Sequence, residues 1–307
     1  MTVVAGAGMA GLLAAAMLRR ECSGVIESSA SLPNNHSAVL RFRSDAVGNL
    51  LNIPFKKVSV LKSIHENRNP VADALSYSLK ANGSMRIRSI TTASNEMVSR
   101  YIAPPDFISQ LCACVQAPIG YGHSLTMKGI KEYNKPIIST IAMPSLMNIL
   151  GWQPVEEFKS RAGENLIMEI EDLEAYCSLY VPDHKFPFHR ISITGSEVIA
   201  ECIYDVLSEF DYDELIDSVL WHLCIPRDKV KRHRLTKQKY AKIVPYDEMD
   251  RKRFIIWASE KHNVYSLGRF ATWRPGLLLD DVVNDVRVIH RLISGASSYD
   301  QKKRITV

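Results

Sequence analysis

The chain has 307 residues, of which 46% are hydrophobic and 23% charged, with a formal net charge of +5. That length exceeds one simple core and suits two subdomains, or one domain carrying a large insertion. The composition excludes disordered and fibrous classes, and the net charge alone does not demand a polyanionic partner.

Six cysteines, at 22, 112, 114, 177, 202 and 224, lack the regular density of a secreted disulfide framework and the CxxC pairs of a zinc site. They read as reduced thiols. The apolar N-terminus has no basic leader, is broken by three glycines and runs on into Arg19 and Arg20, so it reads as folded structure and not as a signal peptide. No other run approaches the roughly 20 apolar residues of a membrane span. The expectation is a soluble, cytoplasmic protein without membrane contact. The sequence has no G-x-S-x-G or H-E-x-x-H motif and no metal-binding cluster.

In chain order, Thr2 to Ala5 is β-prone, and Gly6, Gly8 and Gly11 follow at GxGxxG spacing, with Met9 and Ala10 between them, before a helical stretch from Leu12 to Arg20. Gly6 serves the tight turn, Gly8 lets backbone approach a pyrophosphate, and Gly11 permits close packing of helix on strand. The helix N-terminus favours the anion. A second strand, Gly24 to Ile26, ends in Glu27, about 20 residues after the first glycine, where a carboxylate accepts hydrogen bonds from ribose hydroxyls. An acid there argues against a 2′-phosphate. It leaves FAD and NAD both open.

Arg41, Phe42, Arg43 and Ser44, with Lys56 and Lys57, read either as the lining of an anion-binding cleft or as an exposed cationic surface. Tyr121 and His123, in the turn-rich GYGHS stretch, are similarly open. The segment from Pro136 to Pro144, PIISTIAMP, reads as a buried strand ending at a proline. Leu166 to Ile170, Tyr176 to Val181 and Arg190 to Thr194 alternate as an antiparallel sheet would, and Val198 to Phe210 reads as a helix. His189 and Arg190 start one of these strands. Arg190 is suited to a carboxylate or phosphate and His189 to carrying a proton, with an edge salt bridge and a solvated histidine as the alternatives.

From Arg227 to Lys242 eight basic residues face a single acid, Asp228. This run is either a solvated face or a phosphate-contacting surface. Val264 to Leu267 then reads as a strand, Gly268-Arg269 as a turn, and Leu277 to Ile293 as a helix with Val282, Val286, Ile289 and Ile293 on its apolar face.

The closing strand, Gly-Arg turn and helix, with the opening glycine unit, resemble the FAD-binding segments of the amine oxidase and UDP-galactopyranose mutase superfamily. PIISTIAMP is similar to that family's crossover strand, and SLYVPDHKFPFHRISI, from Ser178 to Ile193, to a mutase segment. The resemblance implies FAD as cofactor, with Gly268 near the pyrophosphate. It also implies that the helix end at Leu278 and Leu279 faces the flavin, and that Arg43, Arg269 and Trp273 lie beside the cofactor. Packing alone is the other reading for Arg269 and Trp273.

The implied architecture is an α/β, Rossmann-like FAD-binding domain with an inserted mixed or antiparallel β-sheet substrate domain plus helices. Residues 1–45, 120–150 and 250–307 would form the first and 46–119 and 151–249 the second. Three functions follow as expectations. The first is an FAD-dependent oxidoreductase or oxidative lyase acting on the carbon-nitrogen bond of an amine, either a small molecule or an amine on a nucleotide or hypermodified DNA pyrimidine. The second is a redox-neutral mutase acting on a nucleotide sugar. The third is a non-catalytic FAD- or nucleic-acid-binding protein.

Overall fold

A computed structural model of the chain describes residues 1–32, 40–65, 69–86, 95–203 and 211–305, with side chains through 295. Two sheets organise it. The first has five parallel strands in the order Val264–Ser266, Ile137–Ser139, Thr2–Ala5, Cys22–Glu27, Ile119–Tyr121. Its first crossover is the helix Met9–Leu18, in which Leu12, Leu13, Ala14 and Ala15 are wholly buried. A helix apolar on every side must be covered on every side. The closing helix, Leu279–Ile305, supplies part of that cover with Val282, Val286 and Ile289. Residues from Val47, Phe107 and Leu111 join the same core.

PIISTIAMP does return to this sheet: Ile137–Ser139 lies between the first and last strands, parallel to both. The sequence ends of the fold therefore meet through its middle.

The second sheet has eight strands, ordered Val230–Ile243, Ser160–Ile170, Glu197–Ile203, Phe188–Gly195, Ala175–Tyr180, Lys56–Ile64, Glu96–Ile102, Arg41–Phe42. All neighbours are antiparallel except Ala175–Tyr180 with Lys56–Ile64, so the sheet is mixed. Alternation sorts its faces. Leu166, Met168, Ile191, Ile193, Val198 and Ala200 pack on Leu215, Ile216, Val219 and Leu220 of the helix Tyr212–Leu223. The opposite face carries Asn165, Ser178, Arg190, Ser192 and Glu201.

The helix expected over 198–210 is instead the strand Glu197–Ile203 as far as Ile203, and 204–210 lie outside the described residues. Gly195, at φ +65°, turns the chain back on the preceding strand. Its β-branched Val198, Ile199 and Ile203 then fit a pleated, covered surface better than a helix. Among the described residues no helix is long and apolar enough to cross a membrane.

Candidate functional site

Each glycine of the opening motif has a distinct surrounding. Gly6 has φ +105°, and a Cβ there would fall 2.1 Å from Thr140 Oγ1. At Gly11 an added Cβ would fall 1.9 Å from the Gly6 carbonyl oxygen, so helix and turn touch backbone to backbone. Gly8, the N-cap residue of the helix, has nothing within 4 Å of its Cβ position. Gly6 and Gly11 serve the fold, and Gly8 leaves room for something else.

That room belongs to a cleft of about 910 Å³ between the two sheets. Gly8, Met9 and Ala10 line one part of it, with Gly268, Arg269, Leu278 and Leu279 beside them. Gly268, at φ +92°, sits so near Ala10 that a Cβ would lie 3.0 Å from the Ala10 Cβ. The first and last segments of the chain thus form one wall.

Glu27 ends its strand 7% exposed and does not line the cleft. Its carboxylate accepts from Ala7 N (2.7 Å) and Ser29 N (2.8 Å). Burial pushes this carboxyl up, but those hydrogen bonds outweigh it and hold the group below its ordinary value. Its evident effect is to fix the glycine turn. Tyr121 and His123 adjoin it, His123 N donating to Glu27 O at 2.8 Å, and they too lie off the cleft.

The neighbouring excursion is split in its roles. Arg41 lines the cleft, but its guanidinium donates to Ser178 Oγ (2.9 Å), Cys177 O (3.0 Å), Thr194 Oγ1 (2.8 Å) and Ile193 O, so it straps strands together. Arg43 lines the cleft and bonds Asp281 (3.1 Å) and Gly276 O (3.3 Å). Lys56 and Lys57 are exposed outside it, Lys56 reaching Tyr176 Oη at 3.1 Å. The closing helix also differs from expectation. Its first turn already carries Asp280 and Asp281, which accept from Ser44 N and Leu278 N, so its positive end is partly complemented from within.

Trp273 does not wall the cleft. It is wholly buried against Phe158 and Phe270, in a core that also holds Val3, Ile137, Met143 and Val264 of the parallel sheet and its neighbours.

The opposite wall holds an ionic cluster. Arg190 Nη2 donates to Glu201 Oε1 at 2.5 Å, and His189 Nε2 lies 3.4 Å from Glu201 Oε2. The strand register slips between Phe188 and Arg190, an irregularity that lets both His189 and Arg190 line the cleft. Lys242 and Arg269 complete the cluster. Burial would raise the Glu201 carboxyl, but Arg190 overrides this and holds it well below the carboxylate range.

His189 is 1% exposed, and burial, aided by Lys242, pushes it down to about 3. It is therefore neutral at ordinary pH and does not suit the proton-carrying role read from the sequence. Lys242 does: burial, reinforced by Arg190 and Arg269 against the pull of Glu201, brings its ammonium down to about 7.

Glu201 and Lys242 are functional candidates that the sequence reading missed. Glu201 had one signal, a lone acid inside the apolar run VIAECI. Lys242 was hidden as the last member of the basic run. That run is itself largely neutralised in its first half. Arg227 pairs with Asp213 (2.7 Å) and Asp217, Lys229 with Asp172 (3.3 Å), Lys231 with Glu171 (3.8 Å) and Arg232 with Glu169. The second half, from Lys237 to Lys242, turns along the cleft. Among the described residues, ten lysine and arginine side chains line that cleft against two acids, Glu201 and Asp280.

Behind the wall, Lys80 supports the segment that delivers His189. Its ammonium, only 6% exposed as a residue, donates to Val181 O (2.9 Å), Asp183 O (2.5 Å) and Phe188 O (2.7 Å). Lys80→Met strands three inward carbonyls and should cost about 3 kcal/mol in urea unfolding, with the His189 ring resonances shifted by NMR. Unchanged stability would show that water replaces the ammonium without loss.

Among the described residues no group of three His, Cys, Asp or Glu side chains could hold a metal ion. No protein-family model matches the chain, and no curated sequence matches it. Solved structures do. The fold is that of solved FAD-binding flavoproteins, a parallel sheet with a second, mixed sheet across a cleft.

Reduced UDP-galactopyranose mutase is similar over 96% of this chain and 94% of its own, with a TM-score of 0.67 at 11% identity. A geranylgeranyl bacteriochlorophyll reductase-like protein from Thermoplasma acidophilum gives 0.57 at 11% identity, over 97% of this chain and 79% of its own. Aklavinone-11 hydroxylase, solved with FAD and aklavinone, gives 0.54 at 10% identity, over 95% of this chain and 62% of its own.

Proposed function

We propose that the protein is an FAD-dependent oxidoreductase acting on the carbon-nitrogen bond of an amine. The observation that carries this reading is the continuity of the cleft, from the open face of Gly8 to the Lys242 and Glu201 cluster. Gly8, Met9, Ala10, Gly268, Leu278 and Leu279 would hold the cofactor, with Arg43 at its edge and Glu27 acting indirectly by fixing the glycine turn. The fit rests on the empty Cβ space at Gly8 and on the Arg269 Nε, a buried donor with no hydrogen-bond partner. Bound FAD would supply the hydride acceptor, with oxygen as the final oxidant.

The chain's own part is proton handling. An amine loses hydride only in its neutral form, and Lys242 Nζ, poised near neutrality, takes the proton from the incoming ammonium. Glu201 steadies the cation so formed, and Arg190 keeps Glu201 ionised. Water then hydrolyses the oxidised carbon-nitrogen bond, releasing a carbonyl compound and the remaining amine. The cationic lip formed by Lys237 and Lys239 supports an amine carried on a nucleotide or modified DNA pyrimidine. The six free cysteines support a cytoplasmic setting.

A second reading, a redox-neutral mutase acting on a nucleotide sugar, is favoured by the likeness to UDP-galactopyranose mutase along nearly the whole of both chains. Anaerobic titration of the purified, yellow protein separates the two. Bleaching of oxidised flavin by an amine is the expected result. Turnover of a nucleotide sugar only after prior reduction would replace the first reading with the second, and a colourless protein that cannot be loaded with FAD would sink both.

A further inference from the structure

The cluster at the cleft floor is unbalanced in a way the proton-handling role does not require. Among the described residues, the guanidiniums of Arg190 and Arg269 and the titratable amine of Lys242 lie within mutual electrostatic reach, and Glu201 is the carboxylate that faces them. Glu201 accepts from Arg190 through Oε1 alone, its buried Oε2 having no hydrogen-bond partner, so one carboxylate faces more cationic groups than it can balance. The Nε atoms of Arg190 and Arg269 are buried and have no hydrogen-bond partner. Buried donors without acceptors and buried charge without counter-charge are both costly, and such a group of cations is stabilised by an anion brought in from outside.

We propose that Arg190, Arg269 and Lys242, with Glu201 as their internal partner, form an anion subsite that seats a carboxylate or phosphate of the substrate beside the reacting bond. This rests on the flavoenzyme reading and narrows its substrate to an amine bearing an acidic group near the carbon that is oxidised. The subsite differs from the lip at Lys237 and Lys239, which is open to solvent and suited to phosphates farther along a carrier.

A physical signature follows from the position of Lys242. Glu201, Arg190, His189 and Arg269 face its ammonium, and Arg161, its partner across the ladder, turns its guanidinium to the Lys80 carbonyl instead. His189 is neutral and Tyr77, beside Arg190 and Glu201, is pushed above its ordinary value by burial, so neither contributes charge. An anion placed among these groups favours the ammonium form. Lys242, mostly neutral at pH 8, would take up a proton as the anion binds.

The test is titration calorimetry of flavin-loaded protein at pH 8 with acetate and, separately, inorganic phosphate, each in two buffers of different ionisation enthalpy. The expected result is binding of at least one probe with uptake of about one proton per anion. Lys242→Arg, which cannot lose its charge at this pH, should retain binding and abolish the uptake, and Lys242→Met should weaken binding about tenfold or more.

The two probes separate a carboxylate site from a phosphate site. Unchanged affinity in Lys242→Met, or proton uptake that persists in Lys242→Arg, would remove Lys242 from the subsite and overturn the proposal. Binding of neither anion to protein with full flavin occupancy would overturn it too, while leaving the flavoenzyme reading standing. Lack of flavin, read first from the absorption spectrum, would count against both.

Discussion

Gly8→Trp should give a protein that is folded, as stable as the parent and colourless. The backbone at Gly8 is extended, φ −70° and ψ 171°, a conformation open to any residue, and its Cβ direction leads into empty space. The indole would therefore displace cofactor and not protein. A loss of about 100-fold in flavin affinity, equivalent to roughly 3 kcal/mol, is expected from blocking that approach. The control is Gly11→Ala, whose added carbon would meet the Gly6 carbonyl oxygen at 1.9 Å. It should lower stability sharply, because neither backbone segment can yield without breaking the βαβ unit. Full flavin occupancy in Gly8→Trp would place the cofactor elsewhere.

Glu201→Gln should be the most damaging change on the opposite wall. It leaves the shape intact and removes the one carboxylate that balances Arg190, so the expected cost is about 3 kcal/mol, a fall in Tm of about 6 °C. The pH dependence has a definite sign. The folded Glu201 carboxyl lies below its unfolded value of about 4.3, so its stabilisation is complete above that pH. The gap between parent and variant should hold from pH 7 to about 5 and close as the pH falls further.

Lys242 also makes the fold more stable as the pH rises, but by shedding a penalty and not by gaining a stabilising charge. Its folded value of about 7 lies below the unfolded ammonium's roughly 10.4, so the parent carries a penalty that is full below pH 7 and gone above about 10.5. Lys242→Met should therefore be more stable than the parent near neutrality and equal to it in strong alkali. Circular-dichroism melts of parent and variants across the acid and alkaline windows check both, and a parent-variant gap that stays constant with pH would mean that the group titrates alike in the folded and unfolded chain.

The parts of this molecule legible in the sequence were the local ones. Gly6, Gly8, Gly11 and the acid at 27 stand within one strand, helix and strand, where spacing alone dictates geometry. The closing turn and helix could be read for the same reason, since Val282, Val286 and Ile289 recur at the helical period and all are buried. The floor of the cleft could not be read this way. Arg190 and Glu201 meet through cross-strand register, Lys242 through a ladder with an irregularity before it, and Arg269 from the turn that follows an edge strand of the other sheet.

Register also hid the acids Glu169, Glu171 and Asp172 that compensate the basic run, because they stand about 60 positions earlier in the chain. Trp273 illustrates the converse. Its place after Gly268-Arg269 pointed to the cofactor, but its volume is used to fill a core.

The basic strand Val230–Ile243 has one more consequence. It is the edge strand of the eight-stranded sheet, 14 residues long, with a ladder partner on one side only among the described residues. Such an edge is a template on which a second chain can add its own strand, and length makes the hazard worse. Lys231, Arg232, Arg234, Lys237 and Lys239 are exposed along it. Two copies approaching edge to edge would bring like charges together at Arg234, Lys237 and Lys239, so the strand that edges the cleft carries its own opposition to the addition of a second copy.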